Sequence, residues 1–473
     1  MSDLAVVILA AGLGTRMKSD TAKVLHRACG RELIAWPVGL ARELGAGKVV
    51  AVLGHQADRV KHVLDTRFGA GAVDIAIQDK QLGTGHAVMQ ALPALGDWAG
   101  PILILYGDTP LLERSWLDKL LAAYRDSGTL ALVTVKLADP TGYGRIVRDA
   151  DGNLTRIVEQ KDASPAERLI TEGNAGIYCI SAPFLREAVA RLGTDNAQGE
   201  LYLTDVAAAA AARGRVATVE APPEQVLGVN DRADLATVEG ILRGRITRMH
   251  ARAGVTLRDP ASTYIDAGIE IGADSELGPG VVLRGKTRIG ARVRLDAGCV
   301  LEDTTVEDGA HLKPYTIATD SSIGAAAQVG PFAHLRPGSV LEADAHMGNF
   351  VETKKTRLGR GAKANHLAYL GDADIGPKVN VGAGTITCNY DGVNKFKTVI
   401  EDGAFIGSDS QLVAPVTVGA GAYVGAGSTI TKDVPAGALA LTRVEQKNVE
   451  GWAAKKKERQ AAAKAAAAAA ARK

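Results

Sequence analysis

Residues 271–301 read IGADSE LGPGVV LRGKTR IGARVR LDAGCV L, which places Ile271, Leu277, Leu283, Ile289, Leu295 and Leu301 at every sixth position. The same period returns in Ile323, Val329, Leu335, Leu341 and Met347, and again in Ile400, Ile406, Leu412, Val418, Val424 and Ile430. Six residues suit one short strand and one turn, so three units close one triangular coil of a parallel β-helix. The aliphatic residue of each unit points into a narrow interior. Gly follows it repeatedly, as in Ile271-Gly272, Ile289-Gly290 and Ile406-Gly407, because small residues fit the corners.

Upstream the pattern differs. Residues 1–230 alternate short apolar runs, such as Ala5–Ala10, Val49–Leu53, Val73–Ile77 and Pro101–Tyr106, with helical segments such as Ser115–Arg125 and Thr204–Arg213. That alternation predicts an α/β domain, Rossmann-like, with a mostly parallel sheet covered on both faces and ligands gathered at the carboxyl ends of its strands. Between the two parts, residues 231–252 read as a linker helix capped by Asp231. Leu235, Val238, Ile241, Leu242, Ile246 and Met249 form one stripe, and Arg232, Arg243, Arg245, Arg248 and Arg252 a solvated opposite face. The β-helix is expected over 253–452. A low-complexity Ala/Lys segment, 453–473, is expected to be a frayed basic tail despite its helical composition.

Composition narrows the function. Lys+Arg is 55 against Asp+Glu 53, which argues against a dedicated nucleic-acid binder. Cys29, Cys179, Cys299 and Cys388 are far apart, so neither a disulfide framework nor a structural zinc site is expected. There is no leader-like N-terminus and no apolar run of ~20 residues. The expectation is a cytoplasmic protein without membrane segments.

The strand Ala5–Ala10 runs into Ala11-Gly12-Leu13-Gly14-Thr15-Arg16-Met17, with Lys23 downstream. Glycines let backbone N–H groups approach a polyphosphate, and two cations neutralise it. The segment is neither a P-loop nor a dinucleotide fingerprint, and alone it is open to a plain tight-turn reading. In order after it stand Gln78, Gln81-Leu-Gly83-Thr84-Gly-His86, Tyr106-Gly107-Asp108, Gly142-Tyr-Gly144-Arg145, Val158-Glu159-Gln-Lys161, Asn174-Ala-Gly176 and Gly228-Val-Asn230. Taken together these resemble the signature of sugar-nucleotide pyrophosphorylases, with Ala22 where that family commonly has Pro, a change that could loosen the Lys23 loop. Asp108 follows a strand, where a hard carboxylate suits Mg²⁺.

The resemblance implies Asn230 as the second metal ligand and Arg16 and Lys23 as catalytic cations. It implies that Leu9, Ala10, Gly12, Tyr106 and Gly107 line the nucleotide site, and that Gln78, Gly83 and Thr84 read uracil. Gly144, Glu159 and Asn174 would hold the sugar. Whether a second metal joins the first is open.

The hexapeptide repeat resembles that of the hexapeptide acyltransferases, whose β-helix is left-handed and usually trimeric. In this chain the repeat breaks between Thr353 and Val399, where polar residues crowd. Arg336 and Lys354 offer a phosphate site, and His366 a general base. No Ser or Cys has an evident activating partner, so direct attack by a substrate amine fits better than an acyl-enzyme.

Both halves in this order resemble the bacterial bifunctional enzymes of UDP-N-acetylglucosamine synthesis, over roughly residues 3–452. Such enzymes unite glucosamine-1-phosphate N-acetyltransferase with N-acetylglucosamine-1-phosphate uridylyltransferase and supply peptidoglycan and lipopolysaccharide synthesis. The resemblance implies glucosamine-1-phosphate contacts at Arg336, Lys354, Tyr369 and Asn380. It implies that Asn389 and Tyr390 lie where amine and thioester meet, and that Ala383, Ser408, Ala426 and Arg443 contact acetyl-CoA. UTP and acetyl-CoA are the implied co-substrates, and a homotrimer sharing its acetyltransferase sites is the implied assembly. Two rivals remain: a single-activity nucleotidyltransferase on a β-helical scaffold, and a non-catalytic sugar-nucleotide sensor.

Overall fold

The computed structural model describes residues 3–470, so the last three residues of the expected tail, 471–473, lie outside the described residues. The chain forms two compact units, Met1–Ile271 with Leu277–Thr287, and Gly272–Glu276 with Arg288–Lys473.

In the first unit, strand Ala5–Ala10 lies at the middle of the sheet. It pairs in parallel with Lys48–Leu53 and with Pro101–Tyr106, and Lys48–Leu53 in turn with Asp74–Ile77. The sheet is mixed beyond this parallel centre. Glu172–Ser181 runs antiparallel to Pro101–Tyr106 and to Leu130–Lys136, and an antiparallel pair, Arg145–Arg148 with Leu154–Val158, is attached to it. Alternate side chains of the central strand feed two cores. Val7 and Leu9 meet Val88 and Ala91 of helix Thr84–Leu95, while Val6 and Ile8 share a cluster with Val38 of helix Ala35–Glu43. Both faces of the strand are therefore dry, which is why it reads as an unbroken apolar run.

Helix Arg232–Arg252 begins at Asp231, whose carboxylate accepts from Ala233 N at 2.8 Å and Asp234 N at 3.0 Å. Val238, Leu242 and Ile246 are buried as the stripe predicts, but Met249 is exposed and His250 is buried instead. The Arg face is not uniformly solvated. Arg245 donates to Leu111 O at 2.6 Å and pairs with Glu113, and Arg243 lies over the Tyr264 ring.

In the second unit, strands of two to four residues stack in parallel. The interior column Leu295, Leu312, Val329, Met347, Ala364 and Val381 advances seventeen or eighteen residues per coil, then twenty-five to Ile406. The coils keep regular spacing from Thr353 to Val381, so the break expected over Thr353–Val399 narrows to the longer step between Val381 and Ile406. Gly407 shows why glycine follows the aliphatic residue, since a Cβ there would lie 2.5 Å from the Ala426 nitrogen of the next coil. Helix Trp452–Ala470 buries no residue; Ala-rich composition alone forms it, where a frayed tail was expected.

The cysteines are free. Burial pushes the Cys179 and Cys299 thiols up to about 12, which keeps them protonated and unreactive. No helix among the described residues is long and apolar enough to cross a membrane.

Candidate active site

The carboxyl ends of Ala5–Ala10 and Pro101–Tyr106 open onto a cavity of about 290 Å³. Leu9, Ala10, Gly12, Lys23, Gln78, Gly83, Thr84, Tyr106 and Asp108 are among its lining residues. Gly14 has φ +63°, and a Cβ there would sit 2.6 Å from Lys23 Cβ, so glycine lets the loop fold back against the lysine. Lys23 Nζ and the Asp108 carboxylate form a largely buried ion pair. Gly107 donates to Leu9 O at 2.9 Å, tying the two strand ends together. Ala22 has φ −52° and ψ 137°, a conformation proline would also adopt, and its N–H donates to Gln56 Oε1 at 3.2 Å. That bond restrains the Lys23 loop, so the loosening expected from Ala22 is countered by a donor proline lacks.

A second cavity, of about 430 Å³, shares Thr84 and Tyr106 with the first and is lined by Arg16, Gly144, Glu159, Asn174 and Asn230. Arg16 Nη2 donates to Asn230 Oδ1 at 2.9 Å, and Val229 N donates to Asp108 O at 2.9 Å, which brings the Asn230 loop to the aspartate. Burial raises the pKa of Glu159, and Asp162, Asp205 and Glu200 add to it, while a 3.0 Å hydrogen bond from Thr204 opposes it. Asn174 donates to Tyr178 OH at 2.7 Å and accepts from Gly176 N at 3.0 Å, so its amide is fixed.

Asp108 and Asn230 offer a carboxylate and an amide oxygen, the hard donors a small divalent cation prefers. Lys23 pairs with the Asp108 carboxylate and Arg16 donates to the Asn230 amide oxygen, so both oxygens are turned toward positive charge. The donor set fits one such ion. No cluster of three or more His, Cys, Asp or Glu suited to a metal occurs among the described residues.

In the β-helix the predicted residues fall on two neighbouring strips. Asn349 pairs with His366 in successive coils, and Ala383, Ser408 and Ala426 continue that corner column, linked by Asp409 N to Ala383 O at 2.7 Å and Gly427 N to Ser408 O at 2.8 Å. Arg443 reaches the column from the last coil, donating to Ala426 O at 3.1 Å. Past the corner, Arg336, Lys354 and Tyr369 sit on the next sheet, where Glu352 is the register partner of Tyr369. Arg336 pairs with Glu352 at 2.8 Å. Lys395, then Arg336, push the Lys354 ammonium below its ordinary range, the mark of a site short of negative charge. Asn389 donates to Asp372 Oδ2 at 2.5 Å, and Tyr390 stands 58% exposed on the inserted segment. Asn380 is the residue not gathered in. It pairs with Lys363 and Phe405 on the sheet before the corner, so one chain alone holds it on a different face from Arg336, Lys354 and Tyr369.

Sequence reading assigned no role to Thr204, Asn349, Asp372 or Lys395. Only Asn349 carried a usable signal: it precedes His366 by one coil length.

Residues 6–217 match the MobA-like NTP transferase domain, 260–351 the GMPPB C-terminal domain, and 397–432 the bacterial transferase hexapeptide with six repeats. The chain is 55% identical over 457 residues to bifunctional protein GlmU of Sorangium cellulosum (strain So ce56), covering 96% of each. It is 52% identical to bifunctional protein GlmU of Trichlorobacter lovleyi, covering 96% of this chain and 99% of the relative. A crystal structure of UDP-glucose pyrophosphorylase complexed with UDP-glucose superposes over 51% of this chain and 98% of its own, at 16% identity and a TM-score of 0.43, too distant to add to the assignment. Given such identity along nearly the whole length, and a nucleotidyltransferase sheet followed by hexapeptide coils, the chain belongs to the bifunctional GlmU family of transferases.

Proposed function

We propose that this chain makes UDP-N-acetylglucosamine in two steps, each at its own site. In the first, glucosamine-1-phosphate is held through its phosphate by Arg336 and Lys354 and positioned by Tyr369 and Asn380. His366 takes a proton from its amine while the nitrogen attacks the thioester carbonyl of acetyl-CoA. The carbon–sulfur bond breaks, and the coenzyme leaves as thiolate and is protonated to the thiol. Asn389 and Tyr390 line the meeting point, and Ala383, Ser408, Ala426 and Arg443 carry the coenzyme along the corner column.

In the second step, a phosphate oxygen of N-acetylglucosamine-1-phosphate attacks the α-phosphorus of UTP in line, and pyrophosphate departs. Gln78, Gly83 and Thr84 orient the base; Glu159 and Asn174 orient the sugar beside Gly144. Arg16 and Lys23 offset charge on the α-phosphate and leaving group. Asp108 and Asn230 would hold Mg²⁺, which when bound supplies charge neutralisation and alignment of the triphosphate. No protein nucleophile is required, because positioning and charge stabilisation suffice.

The observation that carries this reading is the convergence, in each unit, of cationic side chains on a site built for a phosphorylated substrate: Lys23 and Arg16 in one, Arg336, Lys354 and Lys395 in the other. The displaced Asn380 supports a homotrimer whose acetyltransferase sites combine faces from two copies. We place the reaction in the cytoplasm, where both co-substrates are made.

Two assays test the proposal. One follows thiol release from acetyl-CoA with glucosamine-1-phosphate; the other follows pyrophosphate release from UTP, N-acetylglucosamine-1-phosphate and Mg²⁺. Asp108→Ala is expected to lose only the second and His366→Ala only the first. Pyrophosphate release without thiol release in the unaltered protein would reduce the β-helix to a scaffold. Ligand binding without either reaction would make the protein a sensor.

A further inference from the structure

His366 ends strand Lys363–His366, and Asn349 ends strand His346–Asn349 one coil earlier, as its register partner. Asn349 Oδ1 lies 3.1 Å from His366 Nδ1. An amide oxygen only accepts, so in this contact Nδ1 carries the hydrogen, and in the neutral ring Nε2 is then the nitrogen with the lone pair. Asn349 is itself anchored, because its backbone carbonyl accepts from Leu367 N at 3.1 Å. The residue after it, Phe350, stacks on Phe332 at 5.5 Å between ring centroids. The oxygen is thus aimed by two coils of backbone and an aromatic ladder.

We propose that Asn349 is a positioning residue for acetyl transfer, holding His366 in the tautomer whose Nε2 receives the amine proton. This rests on the reading of His366 as the base. The choice of amide over carboxylate has its own consequence. A carboxylate at this position would favour the imidazolium and keep the ring charged near neutral pH. Asparagine accepts from the ring without bringing a negative charge of its own.

The surroundings keep to the same rule. At the level of His366 the preceding strand presents Asn349, and on the following coil Gly384 N donates to Leu367 O at 3.0 Å, which sets Ala383 beside His366; neither Asn349 nor Ala383 is ionisable. On His366's own strand and the preceding one, Lys363 and His346 stand three residues back, about 10 Å along the strand. Lys378, two residues before Asn380, lies further back on the following coil. Across the corner, Glu352 is paired with Arg336, and Asp372 accepts from Asn389. Tyr369 is three residues along the chain from His366.

The test uses the full chain with ¹⁵N-labelled histidine, and the variants Asn349→Ala, Asn349→Asp and His366→Ala. Nitrogen shifts of His366 in the unaltered protein should report a hydrogen on Nδ1. Asn349→Ala should lower kcat of acetyl transfer about tenfold while both KM values move less than about threefold, with the two tautomers mixed. Asn349→Asp should move the acidic limb of the kcat profile to higher pH. The urea unfolding midpoint of the second unit, unchanged in each variant, serves as the check of folding. A hydrogen on Nε2 in the unaltered protein, or unchanged kcat and acidic limb in both Asn349 variants, overturns the proposal while leaving His366 as base. Acetyl transfer surviving in His366→Ala overturns the reading of His366 and the proposal with it.

Discussion

The Glu159 carboxylate accepts from Thr204 and is partly buried in the lining of the second cavity. Its folded pKa lies above the unfolded value, about 4.3. The unfolded chain therefore releases this proton first as pH rises, and stability falls from the unfolded pKa through the folded one and is level above it. Glu159→Gln is expected to raise the melting midpoint at pH 7.5 and to leave it nearly unchanged at pH 3.5, where both states are protonated. The same change removes a charged acceptor for sugar hydroxyls, so KM for N-acetylglucosamine-1-phosphate should rise about tenfold or more. Equal gains in stability at both pH values would contradict the burial argument. Gly14 offers a second test. Alanine there would meet both a left-handed backbone and the Lys23 side chain, so Gly14→Ala should depress uridylyl transfer strongly with acetyl transfer intact.

At the scale of elements, the interior column sets the stability of the coils. Leu312 is fully buried, and truncation to alanine should cost about 2–5 kcal/mol, read from urea unfolding of the second unit. By contrast, removal of residues 458–470 and those beyond should shift the melting midpoint by less than about 1 °C, since helix Trp452–Ala470 buries nothing. These elements also mark where sequence was a good guide. The six-residue period located the interior column because every unit repeats one physical demand, an aliphatic residue facing inward. The loop that folds back on Lys23 was legible because glycine and cation spacing is local. Less legible was anything set by a distant neighbour. Met249 fits the helical stripe as well as Ile246 does, yet it faces outward while His250 is covered. The antiparallel strand Glu172–Ser181 gives no local sign of its direction. Thr204 and Asn349 matter through one hydrogen bond each, to residues 45 and 17 positions away.

For the whole molecule, the proposed trimer makes a separable prediction. Tyr315, Phe332 and Phe350 form an exposed ladder, with ring centroids 5.2 Å and 5.5 Å apart, on the corner that continues to His366. In the proposed trimer this ladder would lie beside the shared site. Sedimentation should give a species of three chain masses. Phe332→Asp should shift it toward monomer and abolish acetyl transfer, with uridylyl transfer preserved. A monomer that still transfers acetyl groups would show the site to be complete within one copy.

The coils also impose an order of failure. Each leans only on those beside it, so heat loosens the stack from an open end inward. The last coil is the least covered, with Leu439 66% exposed and Leu441 50%. Arg443 belongs to that coil and Ala426 to the one before, whereas Arg336 and Lys354 stand several coils deeper. Warming should then peel away the proposed contacts to the thioester donor while the proposed sugar-phosphate contacts still hold: the KM for acetyl-CoA climbs first, and the substrate affinities serve as a thermometer of how far the stack has come undone.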